Sequence, residues 1–570
     1  MKGKLDATKA FIYVTSFLSG MSVMAAELSA SRLLSPYFSS TLPVWSVIIG
    51  LIMASLSIGN VVGGRAADRH GSLSWLYRRI VFAAAYIALI PLIGKYVIAA
   101  SAPIFALFMD GGIVVFGSAL SCLILFAPPM VILGMVSPYM VRLGAKDAEG
   151  VGRAAGNVYA VSTVGSIIGT FIPSFLTIPT IGTNMTFASI AITLSALSVA
   201  FFAVMERKAA PIAASSAVLA AIIATAVFVL PGNSSFAFWE KGLVYEGESL
   251  YNYVQVKKSG ETVLLSTNVA FGVQSAYRKG SVLSGFYYDY ALASLLMSAP
   301  IARGYEAHLD GGTCGDGACG HRDDSLGCGG GARILILGLG SGTYAKECRY
   351  FLPDSEIVGV EIDPLIIEVA RLHFDLRDDE VEVHEGDGRI WLEANGGPFD
   401  VVMLDAYQDI SIPFHMATAE FFALVKGAMA PGGVAVINVN LSTDGDTGVT
   451  DALATTAGTA FGHVYVYDIA SGTNTLIFAA DDGAAAESLR HGAELLPDGH
   501  MLARVMDSVS SRMDRHAGGT AVLTDDLAPI ELMTQKVMDG LISQNAKRFK
   551  DMVSESPNGI FDIFDIIKRY

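Results

Sequence analysis

Long apolar runs dominate the first 231 residues of the chain, whereas shorter apolar runs alternate with polar stretches after that point. A helix needs about 20 predominantly apolar residues to cross a bilayer. Seven runs of roughly that length occur, at 11–34, 42–62, 80–100, 108–134, 156–179, 184–204 and 211–231. The pattern predicts a helical membrane bundle over 1–231 with about seven spans, or eight if the stretch 103–143 crosses twice.

The pattern changes in the second part of the chain. Residues 232–300 are rich in β-forming segments and predict a small β-rich subdomain. From 333 to 545, five short apolar strands alternate with helical stretches, which indicates a mostly parallel α/β sheet. Two further strands, 464–468 and 475–479, lie close together and predict a terminal hairpin. A Rossmann-like sheet that ends in such a hairpin is typical of the Class I methyltransferase fold.

Two segments remain outside these predicted domains. Residues 546–570 form a C-terminal tail, and residues 301–332 form an insert rich in glycine and cysteine. The insert carries Cys314, Cys319 and Cys328, with His321 nearby. Thiolates and imidazole suit zinc, but the spacing lacks the paired Cys-x2-Cys that makes a zinc site specific. A flexible loop with incidental cysteines, a metal site and a disulfide all stay open, and no metal is expected.

Charge divides the chain at the same place. Residues 1–231 carry 14 basic and 7 acidic side chains, a net charge of +7, and the remainder carries 24 basic and 47 acidic side chains, a net charge of −23. Nucleic-acid-binding domains favour basic faces. The acidic part therefore argues against a nucleic-acid partner and is compatible with a cationic substrate.

A glycine loop follows the first strand of the α/β domain. Gly338, Gly340 and Gly342 let the backbone approach a ligand closely. Glu361 ends the second strand, 23 residues after Gly338. An acid at that spacing can accept hydrogen bonds from both hydroxyls of a ribose, so the pair predicts a site for a ribose-bearing ligand.

Two further carboxylates follow later strands. Asp387 and Gly388 come after the third strand, where an adenine amino group would lie, and an acidic turn is the alternative reading. Asp405 ends the fourth strand. Ligands bind outside the carboxyl ends of the strands in open α/β sheets, so Asp405 faces the reactive part of the ligand and could take a proton from an attacking amine.

These motifs together resemble the spermidine synthases, and specifically their membrane-fused relatives. The resemblance rests on the glycine loop, on Glu361 to Asp363, on Gly386-Asp387, on Asp405 to Tyr407 and on the run 413–422, and in the bundle on Glu27 and on Gly156 to Tyr159. Thr524 to Asp526 with Pro529 resembles the close of the fused proteins.

The resemblance also implies roles for individual residues. Glu361 corresponds to the ribose ligand, Asp387 to the adenine ligand and Asp405 to the aspartate that serves the attacking amine. Tyr288 and Gln274 correspond to residues that line the substrate cleft, and Asp289 beside Tyr288 is a further candidate catalytic residue. The implied co-substrate is decarboxylated S-adenosylmethionine or S-adenosylmethionine, and the implied assembly is a homo-oligomer such as a dimer.

The acceptor side departs from the soluble spermidine synthases at four places. The substitutions are Ser341 for an Asp in the glycine loop, Tyr288-Asp289-Tyr290 for Tyr-His-Glu, Gln408 for the second Asp of Asp-x-x-Asp, and Tyr251-Asn252 for Tyr-Gln. Because a diamine is held by acids at both ends, these changes leave the acceptor open.

Three functions follow from this reading. The first is a membrane-bound transferase that moves an aminopropyl group to a small amine and releases methylthioadenosine. The second is an enzyme that acts on intact S-adenosylmethionine, as a methyltransferase or a lyase. The third is a non-catalytic nucleoside sensor on a transporter-like bundle.

Two observations disagree about the side of the membrane on which the catalytic domain lies. The basic loops around Arg65, Arg142 and Arg207 indicate a cytoplasmic face. Seven spans would then leave the catalytic domain outside, whereas the supply of a cytosolic nucleoside favours the cytoplasm. We expect a protein integral to the inner or plasma membrane, with a cytoplasmic catalytic domain.

Overall fold

The structure is a computed structural model. It describes residues 2–106, 109, 111–144, 151–233, 235–240, 242–269, 273–310, 324–327, 331–406, 412–440, 448–469, 474–534 and 537. The described residues divide into two compact units, one that ends at Glu240 and one that follows it. Cys314, Cys319, Cys328 and His321 lie outside the described residues.

The first unit is entirely helical. Its α-helices are α1 (Lys2–Phe38), α2 (Leu42–His70), α3 (Leu73–Ala106), α4 (Ile113–Leu125), α5 (Ala127–Gly134), α6 (Val136–Gly144), α7 (Val151–Ile172), α8 (Ile178–Phe201) and α9 (Ala209–Ala224). Single π-helical turns extend α7, α8 and α9. Among the described residues, five helices are long and apolar enough to cross a membrane, or six if the bent pair α4 with α5–α6 is one span.

Small residues set the packing of this bundle. A Cβ atom on Gly165 of α7 would lie 2.1 Å from the Phe17 carbonyl oxygen of α1, and one on Gly169 would lie 2.2 Å from that of Met21. Gly59 of α2 stands in the same relation to Val131 of α5. Close backbone approach at small residues is how helices associate in lipid, so glycine is needed at these positions.

The second unit contains two sheets. Its strands are β1 (Leu243–Glu248), β2 (Tyr253–Ser259), β3 (Thr262–Ser266), β4 (Ser275–Arg278), β5 (Arg333–Leu337), β6 (Glu356–Glu361), β7 (Glu382–Glu385), β8 (Phe399–Leu404), β9 (Met429–Val439), β10 (His463–Asp468), β11 (Thr475–Ala480) and β12 (Asp514–Arg515). Its helices are α10 (Tyr287–Ala291), α11 (Ala293–Met297), α12 (Ala299–Leu309), α13 (Thr343–Phe351), α14 (Pro364–His373), α15 (Gly388–Asn395), α16 (Ala419–Gly427), α17 (Gly448–Ala460), α18 (Ala485–Leu495) and α19 (Ala503–Arg512).

The first sheet is antiparallel, with strand order β1-β2-β3-β4. The second has the order β12-β10-β11-β9-β8-β5-β6-β7. In it, β5 to β9 are mutually parallel, while β10 and β11 form an antiparallel hairpin beside β9. The predicted β-rich subdomain, parallel sheet and terminal hairpin are therefore confirmed.

Apolar side chains cover both faces of the large sheet. Along β5, Ile334 and Ile336 join the core cluster on one face, and Leu335 and Leu337 join the cluster on the other. A strand that is buried on both faces is continuously apolar rather than alternating, as the run Ile334 to Leu337 is. This packing fixes the strand ends from which the candidate site is built.

Candidate active site

The glycine loop begins where β5 ends. Gly338, Gly340 and Gly342 all have positive φ, at 88°, 57° and 78°. A Cβ atom on Gly338 would lie 2.3 Å from the carbonyl oxygen of Asp405. Glycine is thus required here both by backbone conformation and by the close approach of the end of β8.

Glu361 closes β6 and turns its carboxylate towards this loop. The Gly340 N–H donates to Oε2 at 2.9 Å, and the Asp363 N–H donates to Oε1 at 3.1 Å. Burial raises the pKa of the Glu361 carboxyl to about 7, and the two backbone donors oppose that rise. The carboxylate is positioned by backbone alone, and each of its oxygens retains lone pairs for a ligand hydroxyl.

Asp363, two residues further on, has a different task. Its side chain caps α14 by accepting from the Leu365 N–H at 3.0 Å. The same carboxylate accepts from Ser249 Oγ at 2.7 Å and Asn252 Nδ2 at 2.9 Å. Asp363 therefore joins the small sheet to the large one rather than facing the ligand.

Asp387 lies at the neighbouring strand end, after β7. It caps α15 by accepting from the Ile390 N–H at 2.9 Å, and its second oxygen lies 2.9 Å from His415 Nε2. Gly388 is buried, and a Cβ atom there would lie 3.1 Å from the methyl group of Met416. The turn that carries His415 therefore lies next to Asp387, the carboxylate predicted to bind the adenine amino group.

Asp405 follows β8 and is held by side chains from distant segments. The Tyr287 O–H donates to Oδ2 at 2.5 Å, and Asn438 Nδ2 donates to Oδ1 at 2.8 Å. Asn474 in turn donates to Asn438 Oδ1 at 2.9 Å. Desolvation raises the pKa of Asp405 to about 7, the two donors oppose the rise, and the negative charge of Glu361 adds to it.

The hydroxyl of Tyr288, a predicted catalytic residue, points towards the small sheet. Its hydroxyl lies 3.1 Å from Ser275 Oγ and 3.2 Å from the Gln274 carbonyl oxygen. Ser275 also accepts from the Ser341 N–H of the glycine loop at 3.1 Å. Tyr288 and Gln274 thus lie between the small sheet and the glycine loop, and the neighbouring Tyr287 is the residue that contacts Asp405.

Asp289 does not join this group. Its carboxylate accepts from the backbone N–H groups of Ser284 and Gly285 at 2.9 and 3.0 Å. The buried Glu347 shares the Ser284 N–H with it at 3.2 Å. These contacts tie Asp289 of α10 to the turn that precedes the helix, and a catalytic role for Asp289 stays a prediction.

Sequence reasoning missed Tyr287, Asn438 and His415. Tyr287 is adjacent to the predicted Tyr288, and only the direction of the short helix α10 distinguishes them. Asn438 could have been found as a polar residue within the apolar run of β9. Tyr407 to Asp409 lie outside the described residues, and the described residues contain no group of three His, Cys, Asp or Glu side chains that could hold a metal.

The parallel core, the terminal hairpin and the carboxylates at successive strand ends define a Class I methyltransferase-like, Rossmann-type enzyme unit. Comparison with known proteins refines this class. Residues 326–467 match the model of the spermine/spermidine synthase domain. A probable polyamine aminopropyl transferase of Bifidobacterium longum is 35% identical over 358 residues, which cover 60% of this chain and 73% of that protein. The chain belongs to the polyamine aminopropyltransferase family.

Other relatives are more distant. The polyamine aminopropyltransferase of Vibrio vulnificus is 28% identical over 211 residues, which cover 35% of this chain and 69% of that protein. Among solved structures, a probable spermidine synthase from Corynebacterium glutamicum is 23% identical, with a TM-score of 0.33, over 49% of this chain and 98% of that one.

Proposed function

We propose that the second unit transfers an aminopropyl group from decarboxylated S-adenosylmethionine to a small amine. The contact that carries this proposal is the Tyr287 and Asn438 clamp on Asp405, at the strand end beside Glu361. In the reaction, the amine nitrogen attacks the methylene carbon of the aminopropyl group that is bonded to the sulfonium sulfur. The carbon–sulfur bond breaks, its electron pair stays on sulfur, and methylthioadenosine leaves as a neutral thioether.

The nucleoside is assigned to two neighbouring strand ends. Glu361 would accept from the ribose hydroxyls and Asp387 from the adenine amino group, with the glycine loop against the nucleoside. Both acids have donors that fix their orientation before a ligand arrives. Such preorganisation holds the sulfonium carbon in one place, and positioning supplies much of the rate in displacement reactions of this kind.

Asp405 is assigned to the attacking amine. An aliphatic amine has a pKa near 10.4 and must lose a proton to attack. With its pKa near 7, Asp405 is ionised at slightly alkaline pH and can accept that proton. Tyr287 and Asn438 leave the carboxylate little rotational freedom, so its free lone pairs are directed at the acceptor.

Product analysis tests this assignment. Full-length protein in detergent is incubated with each sulfonium compound, with and without a panel of amines, and the nucleoside products are resolved. Methylthioadenosine that forms only with an amine is the expected result. Methylthioadenosine formed without an amine would indicate lyase chemistry, and S-adenosylhomocysteine would indicate methyl transfer. Binding without turnover would favour a sensor.

We further propose that the first unit spans a membrane seven times. The segment Val151–Glu206 has 56 residues, about 84 Å of helix at 1.5 Å per residue, against a hydrocarbon core of about 30 Å. It breaks at Gly182, where φ is 78° and ψ is 168°. Two crossings fit this length and this break.

The bent pair α4 with α5–α6 fits one crossing. At its start, a Cβ atom on Gly117 would lie 3.0 Å from Phe38, the last residue of α1. At its end, Arg142 pairs with Asp68 at 3.0 Å, close to the end of α2. The pair therefore runs from one end of the bundle to the other, which brings the proposed total to seven.

Basic residues gather at one end of this bundle. The loops and helix ends on that side carry Arg65, Arg69, Arg78, Arg79, Arg142, Arg153, Arg207 and Lys208. Loops rich in Lys and Arg stay in the cytoplasm. On this rule the end that carries Arg142 and Arg207 is cytoplasmic.

The chain leaves the bundle at the other end. The Tyr37 O–H at the end of α1 donates to the Phe236 carbonyl at 2.7 Å, and Lys95 of α3 donates to Asn233 Oδ1 at 2.7 Å. Chain that continues past Glu240 then starts on the face opposite the basic loops. These contacts favour an extracytoplasmic catalytic unit over the cytoplasmic one expected from nucleoside supply.

Labelling of intact cells tests this topology. In a background with Cys314, Cys319 and Cys328 replaced by Ser, the exposed Glu261 and Lys208 are each changed to Cys. We expect a membrane-impermeant maleimide to label Glu261→Cys in intact cells and Lys208→Cys only after permeabilisation. The reverse pattern would place the catalytic unit in the cytoplasm.

A further inference from the structure

A short segment near the end of the described chain packs beside the nucleoside half of the site. We call residues 523–527 the strap. The Ala419 N–H donates to the Leu523 carbonyl at 2.9 Å, and the Asp525 N–H donates to Glu420 Oε2 at 3.0 Å. The strap also closes on itself through Thr524 and Leu527. It is therefore tied by its backbone to the start of α16.

Asp525 of the strap, whose side chain is 41% exposed, contacts Arg389. Both of its carboxylate oxygens accept from Arg389, with Nη1 and Nη2 each at 2.7 Å. The Thr418 hydroxyl, which also caps α16, donates to Asp525 at 2.7 Å. Paired parallel bonds between a guanidinium and a carboxylate are strong and directional. The Arg389 partner holds the pKa of Asp525 well below its usual range, at about 2.

Arg389 connects Asp525 to the candidate site. It lies in the first turn of α15, two residues after Asp387, and its Nη1 also donates to the His415 carbonyl at 2.9 Å. The His415 ring contacts Asp387 at 2.9 Å. A continuous path of polar contacts therefore runs from Asp525 through Arg389 and His415 to Asp387.

We propose that Arg389 and Asp525 are positioning residues for nucleoside binding, which hold His415 against Asp387 so that this carboxylate faces the adenine. The proposal rests on the proposed function, in which Asp387 accepts from the base. Neither Arg389 nor Asp525 touches the reacting atoms. Their loss should weaken nucleoside binding while the transfer step at saturating nucleoside continues.

The test measures methylthioadenosine binding by calorimetry on full-length protein, together with KM for each substrate and kcat. Asp525→Asn keeps the shape of the side chain and removes its charge. We expect its Kd for methylthioadenosine and its KM for the sulfonium nucleoside to rise about tenfold, since hydrogen bonds to charged groups are the strong ones. The amine KM and kcat should stay within about twofold.

The exposed neighbour Asp526 supplies the matched control, because Asp526→Asn makes the same charge change one residue away. Asp525→Glu should recover part of the lost affinity, and Arg389→Lys, which keeps the charge but loses the fork, should lie between wild type and Asp525→Asn. A fall in thermal midpoint with unchanged nucleoside Kd in both Asp525→Asn and Arg389→Lys would overturn the proposal. Wild-type protein that fails to bind methylthioadenosine would instead overturn the proposed function.

Discussion

The two halves of the candidate site are built by different means. On the nucleoside side, Glu361 is oriented by backbone N–H groups, and Asp387 also caps a helix with a backbone contact. On the amine side, Asp405 is oriented by the side chains of Tyr287 and Asn438, which come from α10 and β9. In the proposed function, the orientation of Glu361 thus depends on the backbone and that of Asp387 on the backbone together with His415, whereas the state of the base depends on side chains alone.

The same contrast applies to ionisation. Burial raises the pKa of Glu361 and of Asp405 to about 7 in both cases. For Glu361 the opposing donors belong to the backbone, so only a change to proline would remove one of them. For Asp405 they are a phenol and an amide. Mutations should therefore separate affinity from reactivity.

The largest expected effect is that of Asp405→Asn. The amide keeps the shape but cannot accept the amine proton, so kcat should fall by about 10²- to 10⁴-fold, the usual contribution of a general base. Methylthioadenosine affinity should stay within about threefold. Asp400→Asn, at the opposite end of the same strand, is the matched control and should retain kcat. Equal losses in the two variants would contradict the assignment of Asp405.

Glu361→Gln should give the complementary result. The amide loses the charge and must place either an oxygen or an NH2 group opposite the Gly340 N–H. We expect Kd for methylthioadenosine to rise by about 10- to 100-fold, as for the loss of charge-assisted hydrogen bonds, while kcat at saturating nucleoside changes only a few-fold. Glu382→Gln, at the opposite and exposed end of β7, is the control. A loss confined to kcat would contradict the assignment of Glu361 to nucleoside binding.

Tyr287→Phe tests the ionisation of Asp405 directly. Activity requires the ionised carboxylate, so kcat/KM should rise with pH, with a midpoint near 7, and level off about one unit above it. Glu361 titrates in the same range and is coupled to this step. Because the Tyr287 hydroxyl stabilises the ionised form, its removal should shift this limb to higher pH. The ratio of activity at pH 6.5 to that at pH 9 should fall by about threefold. Tyr290→Phe should keep the wild-type profile, and an unshifted limb in Tyr287→Phe would show that the phenol does not tune the base.

This contrast also explains which residues of the candidate site could be predicted from the sequence. The glycine loop and Glu361 were predictable because local backbone geometry imposes glycine and because strand ends in a parallel sheet share one edge. Tyr287 was not, since its contact with Asp405 joins segments 118 residues apart along the chain. Asn438 is marked in the sequence as a polar residue in an apolar run, but its contact with Asp405 is not. The contacts of Asp289 were not predictable either, because the direction of its carboxylate, towards Ser284, is set by the short helix α10.

The smallest expected effect on activity is that of Glu347→Gln, which alters a buried acid pair outside both halves of the site. Glu347 lies beside Asp289, and its Oε2 is buried without a partner among the described residues. Burial first, and then the charge of Asp289, raise the pKa of Glu347 well above its usual value. The folded protein therefore holds this proton more tightly than the unfolded chain, and the group costs stability as the pH rises above about 4.5.

Glutamine removes that cost, because it cannot ionise, and it carries an amide N–H donor beside Asp289. The variant should thus gain unfolding free energy over wild type at pH 8, and the gain should shrink towards pH 5. Denaturant unfolding of the detergent-solubilised protein at the two pH values measures it, while kcat should be unchanged. A gain in unfolding free energy that is the same at pH 5 and pH 8 would mean that Glu347 does not titrate between these values. A fall in kcat would show that Glu347 and Asp289 contribute to the amine half of the site.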